Sequence, residues 1–250
     1  MVREMSQKKN TNKRASYAHS NSAVRKTKAG KIIALLNSHQ VTINGANTLE
    51  IGTGSGVIAG ELSEAVKPNG HITSVDVVDE RKIKEGYTFQ QVQNTELPFS
   101  SNSFDLVISN HVIEHVGNRS AQIHHLQEIK RVLTEGGTAY LAQPNKWALT
   151  EPHFALPLLS WLPAAIADQY VRITKKGSRY DCNPQSQTAM QEMLSLAGLE
   201  SEDITKEALQ IMLNSNEFGK FTKLISYFGD FGFRLFKPII PTYILLLKSS

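Results

Sequence analysis

The fold is decided by residues 49–58, which read LEIGTGSGVI. The residues from Asn47 to Ile51 predict a buried strand, and glycines at positions 52, 54 and 56 open a turn directly after it. A helix is predicted from Val57 to Val66, because its apolar side chains fall close to one face at helical spacing. Glycine permits positive φ and the close approach of a ligand. Strand, glycine turn and helix N-terminus together predict the nucleotide-binding element of a doubly wound α/β sheet.

Strands and helices alternate along the rest of the chain. Further strands are predicted at His71–Val75, Thr88–Val92, Phe104–Ser109, Thr138–Ala142 and Thr242–Leu247. Residues 31–36 read as the end of a leading helix, and other helices are predicted at 81–84, 120–133, 157–168 and 189–197. Gly136 and Gly137 are expected to close the helix of residues 120–133. This alternation predicts an α/β fold with a doubly wound, mostly parallel sheet.

The charge of the chain is unevenly distributed. The net charge is +4, but residues 1–31 contain nine Lys or Arg and one acid, so the remainder carries about four net negative charges. A basic arm can contact nucleic acid or anionic lipid, yet Tyr17 is the one aromatic residue in it, and single-strand binding needs more stacking groups. We therefore expect residues 1–30 to form a disordered basic leader and residues 31–250 a single domain.

Composition sets broad limits on the class of protein. Forty per cent of the 250 residues are apolar, which is enough for a full core. Cys182 is the one cysteine, so an internal disulfide framework is excluded and a reducing compartment is favoured. No apolar signal segment follows Met1, and the apolar run Pro238–Leu247 is too short to span a bilayer. These features predict a cytoplasmic protein.

The glycine turn is compatible with two cofactors. Residues 54–59 match the G-x-G-x-x-G/A dinucleotide pattern, and Asp76 lies about twenty residues further on, where a ribose-binding acid is expected, so NAD(P) is an alternative. Glu50 distinguishes between the two. It lies at the mouth of the first strand, where a carboxylate would repel a pyrophosphate and attract a cation. S-adenosylmethionine carries a sulfonium and an ammonium and no phosphate, so Glu50 favours it.

Several blocks in order resemble the class I S-adenosylmethionine-dependent methyltransferases, of the type 11 kind. The first is the frame Glu50-x-Gly52-x-Gly54-x-Gly56, followed by Asp76. The others are ELPF at residues 96–99 with SFD at 103–105, NHVIEH at 110–115, and LTEGG at 133–137. Together they cover residues 47–145, and four ordered blocks are far more specific than one.

The resemblance carries implications for the fold and the cofactor site. It implies a seven-stranded Rossmann-like sheet with helical insertions after strand 5 and before the last strand, and S-adenosylmethionine as cofactor. Near the adenine amine, where the family often has an acid, this chain has two amides. The cofactor-binding residues implied are Glu50, Gly52, Thr53, Gly54, Ser55, Gly56, Asp76, Val77, Gln93, Asn94 and Asn110.

The segment from His111 to His115 spells H-x-x-E-H, the inverted zinc-peptidase pattern. A helical zinc site also needs a third ligand further along the chain, and the segment falls directly after a strand. We therefore expect no metal. Either His111 or His115 is expected near the transferred methyl group, with packing of the turn as the alternative for His115. His124 and His125 are assigned to structural roles.

The acceptor is the least determined part. A hydroxyl acceptor needs a base, for which His111, His115, His153 and Tyr180 are candidates. Residues 147–185 and 206–238 are predicted as insertions that cap the substrate. His153 could reach the substrate or cap the helix of residues 157–168.

The second insertion is rich in aromatic residues, which suggest core packing, a substrate wall, a dimer face or a peripheral membrane contact. These are Phe218, Phe221, Tyr227, Phe228, Phe231, Phe233 and Phe236. The chain lacks Asn/Asp-Pro-Pro-Tyr after the fourth strand and a Pro-Cys nucleophile, which argues against nucleic-acid substrates. We predict O-methylation of a small-molecule or lipid-like acceptor. The alternatives are an NAD(P)-dependent oxidoreductase and a non-catalytic methyltransferase-like binding module.

Overall fold

A seven-stranded sheet forms the centre of the molecule in the computed structural model, which describes residues 22–214 and 229–249. Its strand order is β3-β2-β1-β4-β5-β9-β8, and β9 runs antiparallel to both of its neighbours, β5 and β8. The strands are β1 (Asn47–Ile51), β2 (His71–Asp76), β3 (Thr88–Gln91), β4 (Phe104–Asn110), β5 (Leu133–Pro144), β8 (Leu199–Asp203) and β9 (Thr242–Ser249). The predicted doubly wound, mostly parallel α/β sheet is confirmed.

Helices cover both faces of this sheet. In chain order, the described helices are α1 (Ser22–Ser38), α2 (Val57–Ala65), α3 (Arg119–Val132), α4 (Ala164–Ile173), α5 (Gln187–Ala197), α6 (Thr205–Asn214) and α7 (Gly229–Phe236). One apolar cluster joins α3 and α5 to the sheet, and a second joins α1, α2 and α6 to it. Because both faces are covered, β4 is an almost continuous apolar run. All parallel strands therefore end at one edge, where the glycine turn lies.

Three local predictions need correction. Residues 22–30, assigned to the leader, belong to α1, which begins at Ser22; residues 1–21 lie outside the described part. Residues 81–84 form no helix, because Asp79 accepts hydrogen bonds from Arg81 and the Ile83 amide donates to Ser55. Gly136 does not close α3. The chain turns extended at Leu133, directly after the helix, and Gly136 lies within β5.

The insertion of residues 147–185, called the lid below, has a small core of its own. It contains the hairpin of β6 (Thr150–Glu151) and β7 (Leu156–Pro157), a short 3-10 helix and α4. Its apolar cluster includes Phe154, Leu159 and Val171. A bridge between Asn145 and Gln185 brings its two ends together. The predicted helix at 157–168 is displaced: α4 starts after Pro163 and runs to Ile173.

The second insertion is described in part. α6 and α7 flank it, and Phe231, Phe233 and Phe236 lie on α7. Phe218, Phe221, Tyr227 and Phe228 lie outside the described residues. Among the described helices, none has the length and apolar character needed to cross a membrane.

Candidate active site

The glycine turn starts at the carboxyl end of β1. The amides of Gly52 and Thr53 donate to the Val75 carbonyl at the end of β2, over 2.8 and 3.2 Å. The three glycines have φ of 87°, 50° and 77°, values that favour glycine. A Cβ on Gly56 would lie 2.1 Å from the Ile83 carbonyl oxygen, and one on Gly52 would lie 2.4 Å from Val112. Packing of the chain itself therefore requires glycine at both positions.

Glu50 is a buried acid at the mouth of β1. Its register partner on β2 is Ser74, whose hydroxyl donates to Glu50 Oε2 over 2.7 Å and lies 2.5 Å from the Thr53 hydroxyl. Burial raises the pKa of Glu50 to about 8, even though the hydrogen bond from Ser74 lowers it. A cation arriving beside this carboxyl group would favour its ionised form. The residue predicted to attract a cation is therefore a buried acid that a hydrogen bond holds in place.

Asp76 lies at the end of β2, beside the glycine turn. Its Oδ2 accepts from the Gly54 amide over 2.9 Å, and its Oδ1 accepts from the Val78 amide over 3.3 Å. The neighbouring Val77 side chain is exposed, and the Ser55 carbonyl accepts from the amides of residues 82 and 83. Asn110 ends β4, the strand that pairs with β1 on its other side. These predicted residues meet at one edge of the sheet.

Arg25 was not predicted as a site residue. It extends from α1 over the glycine turn, and a Cβ built on Gly54 would lie 3.4 Å from its Nη1. Burial lowers the pKa of Arg25, and the Glu50 carboxyl group acts in the opposite direction. The sequence gives little sign of this contact, because 29 positions separate Arg25 from Gly54 and the arginine belongs to a segment that looks like a solvated leader.

The two amides predicted near the adenine follow β3, whose last residue, Gln91, pairs with Asp76 of β2. Gln93 and Asn94 line a cavity of about 240 Å³ together with Gln90 and Pro98. Asp76 is not among the residues that line this cavity. Asn94 Oδ1 already accepts from the Glu96 amide over 2.8 Å. The role of these amides near the adenine stays a prediction.

A second group of polar side chains surrounds Glu114, whose side chain is fully buried. Glu114 belongs to the 3-10 helix Ile113–His115 after β4. Its Oε1 lies 3.3 Å from His111 Nδ1, 3.2 Å from His153 Nε2 and 4.0 Å from His115 Nε2. His111 reaches it from a left-handed backbone with φ of 57°. All three histidines predicted as catalytic candidates therefore face one carboxylate oxygen.

His153 is the lid's contribution to this group. Its Nδ1 lies 2.8 Å from Glu151 Oε1, and Glu151 Oε2 accepts from the Phe154 amide over 2.6 Å. Burial opposes the charged imidazole, but Glu114 and Glu151 raise the pKa of His153 to about 9. Burial lowers the pKa of His111. The alternative that His153 caps a helix is wrong, because its ring lies between two carboxylates.

The remaining candidates occupy the rim of this group. His115 Nδ1 lies 3.3 Å from the Asp181 carbonyl and 4.0 Å from Cys182 Sγ. Burial raises the pKa of the Tyr180 phenol above its usual range, which makes it unsuitable as a base. His124 contacts the Thr95 hydroxyl and His125 the Ser109 hydroxyl, as structural residues would.

Comparisons with known proteins agree with this geometry. Residues 49–141 match a family model described as a methyltransferase domain. An uncharacterized 37.1 kDa protein of a Streptomyces fradiae transposon is 27% identical over 136 residues, which are 51% of this chain and 39% of that relative's length.

Two solved structures share the fold. A methyltransferase from Mesorhizobium loti has a TM-score of 0.53 at 13% identity and covers 82% of this chain and 91% of its own. One from Methanosarcina mazei has a TM-score of 0.51 at 16% identity, and the match covers 86% of this chain and 97% of that protein. The solved structures that resemble this chain thus include S-adenosylmethionine-dependent methyltransferases.

Proposed function

We propose, from the match of residues 49–141 to the methyltransferase-domain model, that the protein is a class I S-adenosylmethionine-dependent methyltransferase and that it methylates a hydroxyl oxygen of a small-molecule or lipid-like acceptor. The observation that carries the proposal is the group of histidines around the buried Glu114, under the lid and at the same sheet edge as the glycine turn. A methyltransferase-like binding module without chemistry would have no need of such a group.

The residues around the glycine turn fit S-adenosylmethionine. Glu50 would bind the ammonium group, Asp76 the ribose hydroxyls, whose two donors suit paired carboxylate oxygens, and Arg25 the carboxylate of the methionine part. When bound, the cofactor supplies a methyl group on a positively charged sulfur. A dinucleotide would instead place a pyrophosphate close to Glu50 and would form no ion pair with the ionised carboxylate, which argues against the oxidoreductase alternative.

The acceptor side must remove a proton. Transfer to a hydroxyl forms an O–C bond, breaks the C–S bond, releases neutral S-adenosylhomocysteine and frees the hydroxyl proton. Imidazole and carboxylate side chains handle protons at neutral pH, and His111 Nδ1 and His153 Nε2 each lie within 3.3 Å of Glu114 Oε1. The lid would exclude water and align the acceptor with the methyl group.

The test is methyl transfer from isotopically labelled S-adenosylmethionine to matched panels of phenols, sugars, hydroxylated lipids and amines. We expect the labelled methyl group to be found as a methyl ether, and Glu114→Gln to abolish transfer while cofactor binding persists. His71→Ala, an exposed histidine at the opposite end of β2, is the matched control and should keep full activity. Label on nitrogen or carbon would contradict the oxygen acceptor, and cofactor binding without transfer to any panel would favour the binding module.

A further inference from the structure

Glu114 Oε1 has the surroundings of a metal ligand. It lies 3.3 Å from His111 Nδ1 and 3.2 Å from His153 Nε2. Two ligand atoms at 2.0–2.1 Å from a tetrahedral metal ion are themselves about 3.3 Å apart. The metal-ligating atoms of His111, Glu114 and His153 all lie within 4.8 Å of one another. The three side chains are therefore spaced as a shared ion would hold them.

The second observation is that the Glu114 carboxylate lacks hydrogen-bond donors in normal geometry among the described residues. Its side chain is fully buried, and within residues 22–214 and 229–249 neither of its oxygens receives a hydrogen bond of normal geometry. His111 Nδ1 is also buried and likewise makes no hydrogen bond of normal geometry among these residues. Burying a carboxylate that receives no hydrogen bond costs free energy, and such a group needs an explanation such as a bound ion.

A carboxylate behind His153 completes the arrangement. Glu151 Oε1 lies 2.8 Å from His153 Nδ1, on the far side of the ring from Glu114. Metal-binding histidines commonly donate their second ring N–H to a carboxylate, which fixes the tautomer and turns the other nitrogen toward the metal. In the neutral ring that a metal ligand requires, Nδ1 keeps this proton and the Nε2 lone pair faces Glu114 Oε1, where the ion would lie.

The local charge also suits a cation. Glu114 and Glu151 are both fully buried carboxylates. Lys28 of α1 lies close enough to Glu114 for their charges to interact, so one of the two negative charges is offset. With His153 in the neutral form that a metal ligand requires, the other negative charge remains to attract a positive ion.

We propose that His111, Glu114 and His153 bind a divalent transition-metal ion whose fourth position takes the acceptor oxygen. Two imidazoles and one carboxylate suit zinc and its neighbours better than magnesium or calcium. Zinc lowers the pKa of a coordinated O–H group, so the acceptor would lose its proton to solvent before the O–C bond forms and the C–S bond breaks. This catalytic role rests on the proposed function, whereas the site itself does not.

The sequence argued against zinc because H-x-x-E-H lacked a third ligand. His153 lies 38 positions after His115 and reaches Glu114 because the lid folds back over the edge of the sheet. A second possible group, His115, His153 and Cys182, shares one histidine with the first. The short separations around Glu114 favour the group proposed here.

The experiment measures Zn²⁺ binding alone, by calorimetry on the chelator-treated full chain without cofactor or acceptor. We expect one equivalent to bind. Glu151→Gln should weaken binding by roughly 10–100-fold, and Glu114→Gln and His111→Ala by more. His71→Ala and His124→Ala, both exposed histidines elsewhere, should bind as the wild type does.

Co²⁺ absorption of the wild-type protein keeps the proposal testable if a variant fails to fold. We expect a four-coordinate ligand-field spectrum without a thiolate band, unchanged in Cys182→Ser. Absence of stoichiometric binding, or a thiolate band lost in Cys182→Ser, would overturn this assignment. Neither measurement uses S-adenosylmethionine. A protein that binds no metal would therefore contradict the metal site and leave the proposed methyl transfer to its own test.

Discussion

Glu50 is the residue that separates the two cofactor classes. Its position at the mouth of β1 was readable from the sequence, since an acid directly before a glycine turn must face whatever binds there. The hydrogen bond from Ser74 was not readable, because the pairing of β1 with β2 brings together residues 24 positions apart. The structure adds a protonation equilibrium to what was a simple charge argument.

Cofactor binding to Glu50 should release a proton. Burial raises the pKa of Glu50 in the free protein to about 8, so the carboxyl group is mostly protonated at pH 7 and ionises when a cation binds. Affinity for S-adenosylmethionine should therefore rise as the pH increases to about 8 and then level off. Calorimetry at pH 7 in two buffers of different ionisation enthalpy measures the release. Glu50→Gln should bind more weakly and release no proton; a wild type that releases none contradicts this account.

Asp76 should dominate recognition of the ribose. Asp76→Ala removes two charge-assisted hydrogen bonds worth about 1.5–3 kcal/mol each, which predicts a loss of cofactor affinity of about 100-fold or more. Equilibrium binding of S-adenosylhomocysteine measures it, with circular dichroism to verify the fold. The exposed neighbour Glu80 provides the matched control, and Glu80→Ala should bind normally. Equal affinity in the two folded variants would remove Asp76 from the site.

At the scale of elements, α1 is the part that the sequence understated. Adjacent residues of this helix point in different directions: Arg25 covers Gly54, and Lys26 forms an exposed ion pair with Glu61 over 3.0 Å. The helix therefore contributes a site residue from a segment whose composition resembles a solvated arm.

Arg25→Gln should weaken binding of S-adenosylhomocysteine by about tenfold or more, as expected for one charge-assisted hydrogen bond. It should leave methylthioadenosine unaffected, because that ligand has no amino-acid carboxylate. Lys26→Gln is the control on the same helical turn and should change neither affinity. An equal loss for both ligands in Arg25→Gln would mean that the arginine only supports the turn.

The packing of α3 gives a prediction about stability. Leu126 is fully buried in the cluster that joins α3 and α5 to the sheet, so Leu126→Ala should lower the free energy of unfolding by about 2–5 kcal/mol. The exposed ion pair of Arg119 and Glu192 links the same helices over 2.8 Å, and Glu192→Gln should cost less than about 1 kcal/mol. Urea denaturation measures both. A larger effect from Glu192→Gln would contradict a hydrophobic origin for this contact.

Local sequence patterns predicted most of the sheet and the glycine turn. β1, the glycine turn and α2 follow from neighbouring residues, so their bounds were nearly right. The start of β5 directly after α3 was not predicted, because Gly136 resembles a helix-ending glycine but lies inside β5. The group around Glu114 depends on the lid folding back onto the sheet, and no local pattern encodes that approach.

At the scale of the whole molecule, the lid is a separate unit with its own apolar core, inserted into the sheet domain. Its ends meet at the bridge between Asn145 and Gln185, and its apolar cluster is separate from the two that cover the sheet. The rest of the domain thus does not depend on the lid for its core.

Replacing residues 147–182 by a short Gly-Ser linker should leave a folded protein that binds S-adenosylmethionine. The linker can be short because the two ends are already adjacent. Methyl transfer should be lost, since His153 and the cover over the acceptor are removed. Thermal melting, calorimetry and the labelled-methyl assay check the three expectations. An unfolded product would show that the lid is needed for stability, and retained transfer would show that the acceptor binds elsewhere.

Helix α1 touches both halves of the site: Arg25 lies over the glycine turn, and Lys28 interacts with Glu114. A ligand that draws Arg25 toward itself also changes where Lys28 sits, so the occupancy of one half alters the affinity of the other. The two substrates are then thermodynamically linked through a single helix, and each should strengthen or weaken the other's binding by the same factor.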